Sequence, residues 1–193
     1  MTASLMHSQA ISETSFAFLD TETTGLSPAR GDRVCEIAVL KTRGGAVIES
    51  FQSLINPQRP IDLGAQAIHG ISDAMVAKSP RFGDLAARLA ALLDDSVLVC
   101  HNIPFDKGFI EAEFRRTRVS LPAIPELDTL RLARKYFNFS SNRLGAIAGS
   151  LGVAPEGWHR AGNDVAMLRA VFERFLPEFE RKGARTLGCL LKL

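Results

Sequence analysis

Cysteine, long apolar runs, internal repeats and a strong charge of either sign are all scarce in this sequence, and each absence narrows what it can be. No apolar run among the 193 residues approaches the roughly 20 needed to span a bilayer. Met1 to Thr14 has no basic stretch leading into an apolar one, so the sequence predicts a soluble, unexported protein with no membrane partner. Its three cysteines, Cys35, Cys100 and Cys189, form no C-x-x-C pair. Their odd number argues against a disulfide framework or a zinc knuckle and fits a reducing cytoplasm. The formal net charge is only +2, with a pI near 8.6, which permits a phosphate-rich partner without requiring one. What is present is a chain of ordinary hydrophobic content and single-domain length. It divides into a flexible N-terminal tail over 1–14, a domain over 15–180 and an unassigned C-terminal tail over 181–193.

One stretch organises the remainder. Phe16-Ala17-Phe18-Leu19-Asp20-Thr21-Glu22-Thr23-Thr24-Gly25-Leu26 is an apolar run ending in two acids at i and i+2. The two-residue period of a strand points Asp20 and Glu22 to the same face. The Thr-Thr-Gly that follows supplies turn chemistry, which places the pair at the strand's end, where a ligand can reach it. Alone this would be weak, since strand-end acids usually face water.

The rest of the chain adds to it. Val34 to Leu40 and Ala46 to Ile55 flank Arg43-Gly44-Gly45 and read as a hairpin, giving three consecutive antiparallel strands. Ile68 to Asp73 reads as a loop entering a short helix capped by Ser72. Leu85, Leu89, Leu92 and Leu93 mark a helix over Phe82 to Leu93, after which Val97 to Cys100 is a short buried strand, parallel because it follows a helical crossover. That strand runs into His101-Asn102-Ile103-Pro104-Phe105-Asp106 and a helix that places Asp106 near its N-terminus. Asp128 suits the N-cap of the next helix, Ser141 caps another, and Gly152 stops it. Beyond a loop over Val153 to Trp158 comes His159-Arg160-Ala161-Gly162-Asn163-Asp164, in which His159, just after that loop, is expected to be mobile. Asp164, Leu168, Val171 and Phe175 fall on one helical face, so Asp164 stands on an apolar stripe.

Buried unpaired carboxylates cost several kcal/mol each, so four converging acids make sense mainly as a cage for hard divalent cations. Oxygen-only ligation suits Mg²⁺ or Mn²⁺. Two such ions can clamp the attacking and leaving oxygens of a phosphodiester, and a nearby histidine can take the proton of the attacking water.

Asp20-Thr21-Glu22-Thr23-Thr24-Gly25-Leu26, His101-Asn102-x-x-Phe105-Asp106 and His159-Arg160-Ala161-x-x-Asp164 resemble, in order and spacing, the three motifs of the DnaQ-like 3′–5′ exonucleases. The histidine five residues before the last acid marks the DEDDh branch. The likeness runs from about Phe16 to Phe175. It implies an α/β, ribonuclease H-like fold whose mixed sheet, three antiparallel strands continuing into parallel ones, is flanked by helices. It also implies that Asp20, Glu22 and Asp164 hold a first cation, that Asp20 bridges to a second, that Asp106 acts through water, and that His159 is the general base. Thr23, Thr24, Gly25 and Leu26 would border the terminal nucleotide, with Ile68, His69 and Phe105 wedged against the last bases, as in other single-strand binders. Asn102 and Arg160 would support phosphate or the catalytic loop. His69 also reads as an ordinary loop histidine, and Phe105 also suits a core position.

The implied activity is release of nucleoside 5′-monophosphates from a 3′ end, with single-stranded DNA as the favoured partner. RNA trimming by a relative similar to ribonuclease T or oligoribonuclease is the alternative, and a non-catalytic adaptor that binds nucleic acid or a polymerase is the more distant one. The family's proofreading subunit carries a C-terminal extension that ties it to a DNA polymerase. The stretch after Phe175 is short for such a tether, so a stand-alone enzyme is expected and the polymerase is the secondary candidate partner.

Overall fold

A computed structural model of the chain describes residues 7–153 and 160–193. Its sheet has five strands in the order β3-β2-β1-β4-β5: β1 (Ser15–Thr23), β2 (Val34–Arg43), β3 (Ala46–Leu54), β4 (Val97–Cys100) and β5 (Glu126–Asp128). The first three are antiparallel neighbours, and β4 and β5 then join parallel to β1. The helices are α1 (Leu63–His69), α2 (Asp73–Val76), α3 (Phe82–Leu93), α4 (Ile103–Phe114), α5 (Thr129–Tyr136), α6 (Leu144–Ser150), α7 (Ala161–Arg181) and α8 (Leu187–Leu190). The β2–β3 hairpin closes through Gly44 and Gly45 alone, at φ +58° and +77°. This is the left-handed pair that a two-residue turn needs to match strand twist.

Alternation along β1 divides the interior. Phe16 and Phe18 pack with Val97, Val99, Leu127 and the apolar face of α7. Ala17 and Leu19 face the other way, onto Leu98, α3 and α4. The parity carries past the apolar run, so Asp20 and Glu22 continue the α7 side and Thr21 the α4 side. Long-range crossovers therefore deliver α7 and α4 to opposite faces of one strand at its C-terminal end. In open sheets of this kind ligands bind at the carboxyl ends of the strands.

Several local readings of the sequence hold and several do not. The helix over Phe82–Leu93 and the strand over Val97–Cys100 fall where expected, and Gly152 ends α6 at φ +66°. Ile68 and His69, expected in a loop, instead end α1, which stops at Gly70 in the left-handed conformation. Ser72 does occupy the N-cap position of α2, but without a side-chain bond. Ser141 is not the cap of α6. The N-cap is Arg143, whose amide donates to Ser141 Oγ at 3.4 Å.

Residues 9–14, read as part of a flexible tail, are ordered against the C-terminal segment. Ala10 bridges Thr186, the Ile11 amide donates to the Arg185 carbonyl, and Ile11 is buried against the α7–α8 side of the core. One apolar residue in a polar stretch and two backbone bonds supply the docking that composition did not reveal. The segment over 181–193 likewise gains structure through α8, where Leu187 and Leu190 are buried and the Thr186 side chain caps the helix.

Asp128 joins these elements. Its Oδ1 accepts from the amides of Leu130 at 2.9 Å, Arg131 at 3.4 Å and Asn102 at 3.0 Å, so one carboxylate caps α5 and fixes the turn between β4 and α4. Asp128→Ala should lower stability by about 1–3 kcal/mol, the cost of a lost cap plus an orphaned amide. Urea denaturation with an unchanged midpoint would contradict this role for the carboxylate.

Candidate active site

Asp20 and Glu22 stand at the end of β1, half-buried, and Asp164 reaches them from the first turn of α7. Their ligand oxygens lie within 4.8 Å of one another. Asp106, buried at 4% exposure, approaches from α4 on the other side of the strand. Its Oδ1 accepts from the Thr21 amide at 3.0 Å and the Thr21 hydroxyl at 2.8 Å. The structure thus gathers three of the four expected acids into one cluster and holds the fourth beside it through Thr21. His159, together with the loop residues from Ala154 to Trp158, lies outside the described residues.

The electrostatics are those of crowded like charges. Burial pushes the Asp20 carboxyl well above the usual carboxylate range, and Asp106, Glu22, Asp164 and Glu36 push it further. Glu22 is pushed up to about 8, by burial first and then by Asp164, Glu36 and Asp106, with Arg160 opposing. Asp106 rises to about 7 because burial outweighs the bonds from Thr21. The donors are all hard carboxylate oxygens, and the nearby guanidinium of Arg160 is bonded to Glu36. A donor set of this kind fits a hard divalent cation, whose charge would offset the repulsion.

Around the acids, the loop after β1 is held by internal bonds. The pairing with β2 shifts register between Glu22 and Thr23. The Thr23 hydroxyl donates to the Gly25 carbonyl at 2.6 Å, and Thr24 exchanges bonds with Arg33 at 2.8 and 3.1 Å. Gly25 has no room for a side chain, since a Cβ there would sit 2.6 Å from the Asp32 carboxylate, which itself pairs with Arg59 and accepts from the Ser27 amide. The side chains of Thr23 and Thr24 therefore face inward, and Leu26, 82% exposed, is the side chain this loop presents to solvent.

The expectation for His69 needs correction. It is 5% exposed and does not reach the surface. Its Nδ1 accepts from the Ile71 amide at 3.0 Å, which leaves the proton on Nε2, and Nε2 donates to the Thr23 carbonyl at 3.2 Å. His69 is a strut beneath the loop, while Ile68, 58% exposed, faces outward. Phe105 packs on Phe109, with ring centroids 5.1 Å apart, at the edge of the α3–α4 core. Asn102 takes a left-handed backbone at φ +83°, tolerable for asparagine, with its amide on Asp128. His101 has both ring nitrogens bonded, to Thr129 and Asn142, in keeping with a residue that closes the strand.

Arg160, expected as a supporting residue towards phosphate or the catalytic loop, pairs with Glu36. Sequence reading missed Glu36. Its signal was a charged residue inside the apolar run Val34-Cys35-Glu36-Ile37-Ala38-Val39, placed opposite Glu22 once the hairpin register is known.

A β3-β2-β1-β4-β5 sheet with acids at the ends of its central strands has the ribonuclease H-like architecture. The chain superposes on exonuclease I of E. coli in complex with single-stranded DNA with a TM-score of 0.79 at 23% identity, over 88% of this chain and 42% of that one. Against exonuclease X in complex with 5′ overhanging duplex DNA the TM-score is 0.67 at 27% identity, covering 84% and 92% of the two chains. The exonuclease family model matches residues 17–172, and the chain belongs to that family, in its DnaQ-like group. It is 35% identical to a DNA polymerase III subunit epsilon-like protein of Rhodobacter capsulatus over 91% of this chain and 26% of the relative. It is 33% identical to the 3′–5′ exonuclease DinG of Bacillus subtilis over 92% of this chain and 19% of the relative. The chain thus spans about a quarter or less of these curated relatives.

A carboxyl whose native pKa is raised binds protons that the unfolded chain has already released. For Glu22 that window runs from its ordinary 4.5 to about 8, and in it stability falls as pH rises. Metal-free protein should therefore lose stability on going from pH 5 to pH 8, and saturating Mg²⁺ or Mn²⁺ should flatten that loss. Asp164→Asn removes one of the repelling charges and should raise the melting temperature at pH 8 in EDTA while weakening the metal-dependent increase. A variant that melts below wild type in EDTA would show that repulsion among the acids is not what limits stability there.

Proposed function

We propose that the chain is a cytoplasmic 3′–5′ exonuclease that releases nucleoside 5′-monophosphates from single-stranded DNA, using two divalent cations, Mg²⁺ or Mn²⁺. The observation that carries the reading is the convergence of Asp20, Glu22 and Asp164 within 4.8 Å at the open end of β1, with Asp106 held beside them. Asp20, Glu22 and Asp164, with Asp106 beside them, would hold the cations. When bound, the cations supply the positive charge that a phosphodiester and its leaving oxygen need.

The protein's own groups do the rest. The braced Thr23–Leu26 loop borders the terminal nucleotide, and exposed Leu26 and Ile68 give the last bases apolar surface. His159, five residues before Asp164 in sequence, takes the proton from the attacking water. The 3′–5′ polarity is that of the DinG relative, and the single-stranded and overhanging DNA of the exonuclease I and X complexes supports the substrate class. The epsilon-like relative makes a DNA polymerase the candidate protein partner.

Purified protein with Mg²⁺ should shorten a 5′-labelled DNA strand into a ladder, faster than a blunt duplex, because paired ends must unstack at a cost of a few kcal/mol. A matched RNA cut faster than DNA would move the substrate assignment to RNA. Asp20→Ala should abolish cleavage with the fold intact. His159→Ala should retain metal and DNA binding and lose roughly 10²–10⁴-fold in turnover, with the acidic limb of the rate profile lost. Full turnover in His159→Ala would remove it as the base.

A further inference from the structure

We infer that Glu36 is a positioning residue, a buried carboxylate on β2 that fixes the first turn of α7 and thereby sets where Asp164 meets Asp20 and Glu22. The inference rests on the reading of those three acids as a cation site.

Glu36 is 1% exposed and lies opposite Glu22 in the β1–β2 register. A second acid at that position would be untenable alone, since like charges directly across a strand pair repel and a buried charge needs a partner. Five bonds supply the compensation. Oε1 accepts from Arg160 Nη2 at 2.7 Å, Arg160 Nε at 3.2 Å and Gln52 Nε2 at 3.0 Å, and Oε2 accepts from Arg160 Nε at 3.1 Å and the Ala161 amide at 3.1 Å. Four of the five come from the two residues that begin α7. Together they hold Glu36 below the usual range for a glutamate although burial acts in the opposite direction.

The geometry continues into the site. The Arg160 carbonyl accepts from the amides of Asn163 at 2.9 Å and Asp164 at 3.1 Å, so the residue clamped by Glu36 is the one on which the Asp164 turn hangs. Gly162 keeps the clamp closed, because a Cβ there would sit 2.3 Å from Gln52 Oε1 and displace the glutamine from Glu36. Stability alone does not require a network of this kind, since a buried ion pair is often matched by apolar residues of similar volume. What it adds is register: β2, whose neighbour β1 carries Asp20 and Glu22, is tied to the helix that carries Asp164.

The test is Glu36→Gln in the full chain, read by Mn²⁺ titration, melting in EDTA and steady-state cleavage of a DNA strand. The amide preserves shape but carries no charge and has one accepting oxygen in place of two, so its NH2 must face either Arg160 Nη2 and Gln52 or the Ala161 amide. Mn²⁺ affinity should fall roughly 10–100-fold, and kcat by a similar factor, the usual cost of losing support behind a metal ligand. KM for the oligonucleotide should stay within about twofold, since no uniform substrate contact is removed. Arg160→Lys, which leaves the Ala161 bond and the charge but cannot fork onto both oxygens, should shift Mn²⁺ affinity in the same direction by less. If Glu36→Gln fails to fold, this second variant decides. Wild-type Mn²⁺ affinity in the folded variant, or a raised KM with unchanged kcat and Mn²⁺ affinity, overturns the assignment. Should the wild-type chain cleave neither DNA nor RNA, the exonuclease reading fails, while the Mn²⁺ titration still decides the role of Glu36.

Discussion

Asp20, Glu22, Asp106, Asp164 and Glu36 are drawn together in a region where burial already disfavours charge, so the repulsion among them must be offset by something else in the structure. Glu36 has its answer within the protein, from Arg160, Gln52 and the start of α7. Asp20, Glu22 and Asp106 retain raised proton affinities. The aromatic and aliphatic packing on both faces of the sheet is what keeps strands and helices from separating under that strain. The site is thus assembled against its own electrostatics, as expected where a protein gives up stability for a functional constellation.

Support for the acids comes from groups that do no chemistry themselves. Thr21 fixes Asp106, Asp128 fixes the turn before it, His69 props the loop after Glu22, and Glu36 fixes the helix of Asp164. Each is buried or partly buried and each bonds to backbone or to a neighbouring side chain, so their effect is geometric. Leu26 and Ile68, by contrast, are exposed and apolar. Rigid polar support beneath and adaptable apolar surface above is an arrangement suited to a ligand with variable bases and an invariant phosphate.

Much of this was legible from residue order. The i, i+2 acids after an apolar run required one face, the Leu85–Leu93 periodicity marked α3, and the position of Asp164 on an apolar stripe pointed it inward. What was not legible depended on pairings distant in sequence. The short α1 has too few apolar positions for a periodicity and is stopped by a glycine that equally suits a loop. Ile11 docks only because residues near 185 arrive beside it. The burial of His69 follows from Thr23 and Ile71 closing over its two nitrogens, and the importance of Glu36 depends on a register shared with Glu22 and a helix more than a hundred residues away.

The alternation of β1 sets a limit on how this chain can vary. Asp20 and Glu22 serve one flank of the sheet and Thr21 serves the other through Asp106, so the strand is read two residues at a time. Inserting or deleting a single residue between Phe16 and Asp20 would exchange the flanks, turning the acids towards α4 and the threonine towards α7, even with every side chain retained. Along this strand, a length change that keeps the acids on their flank must come as a pair of residues.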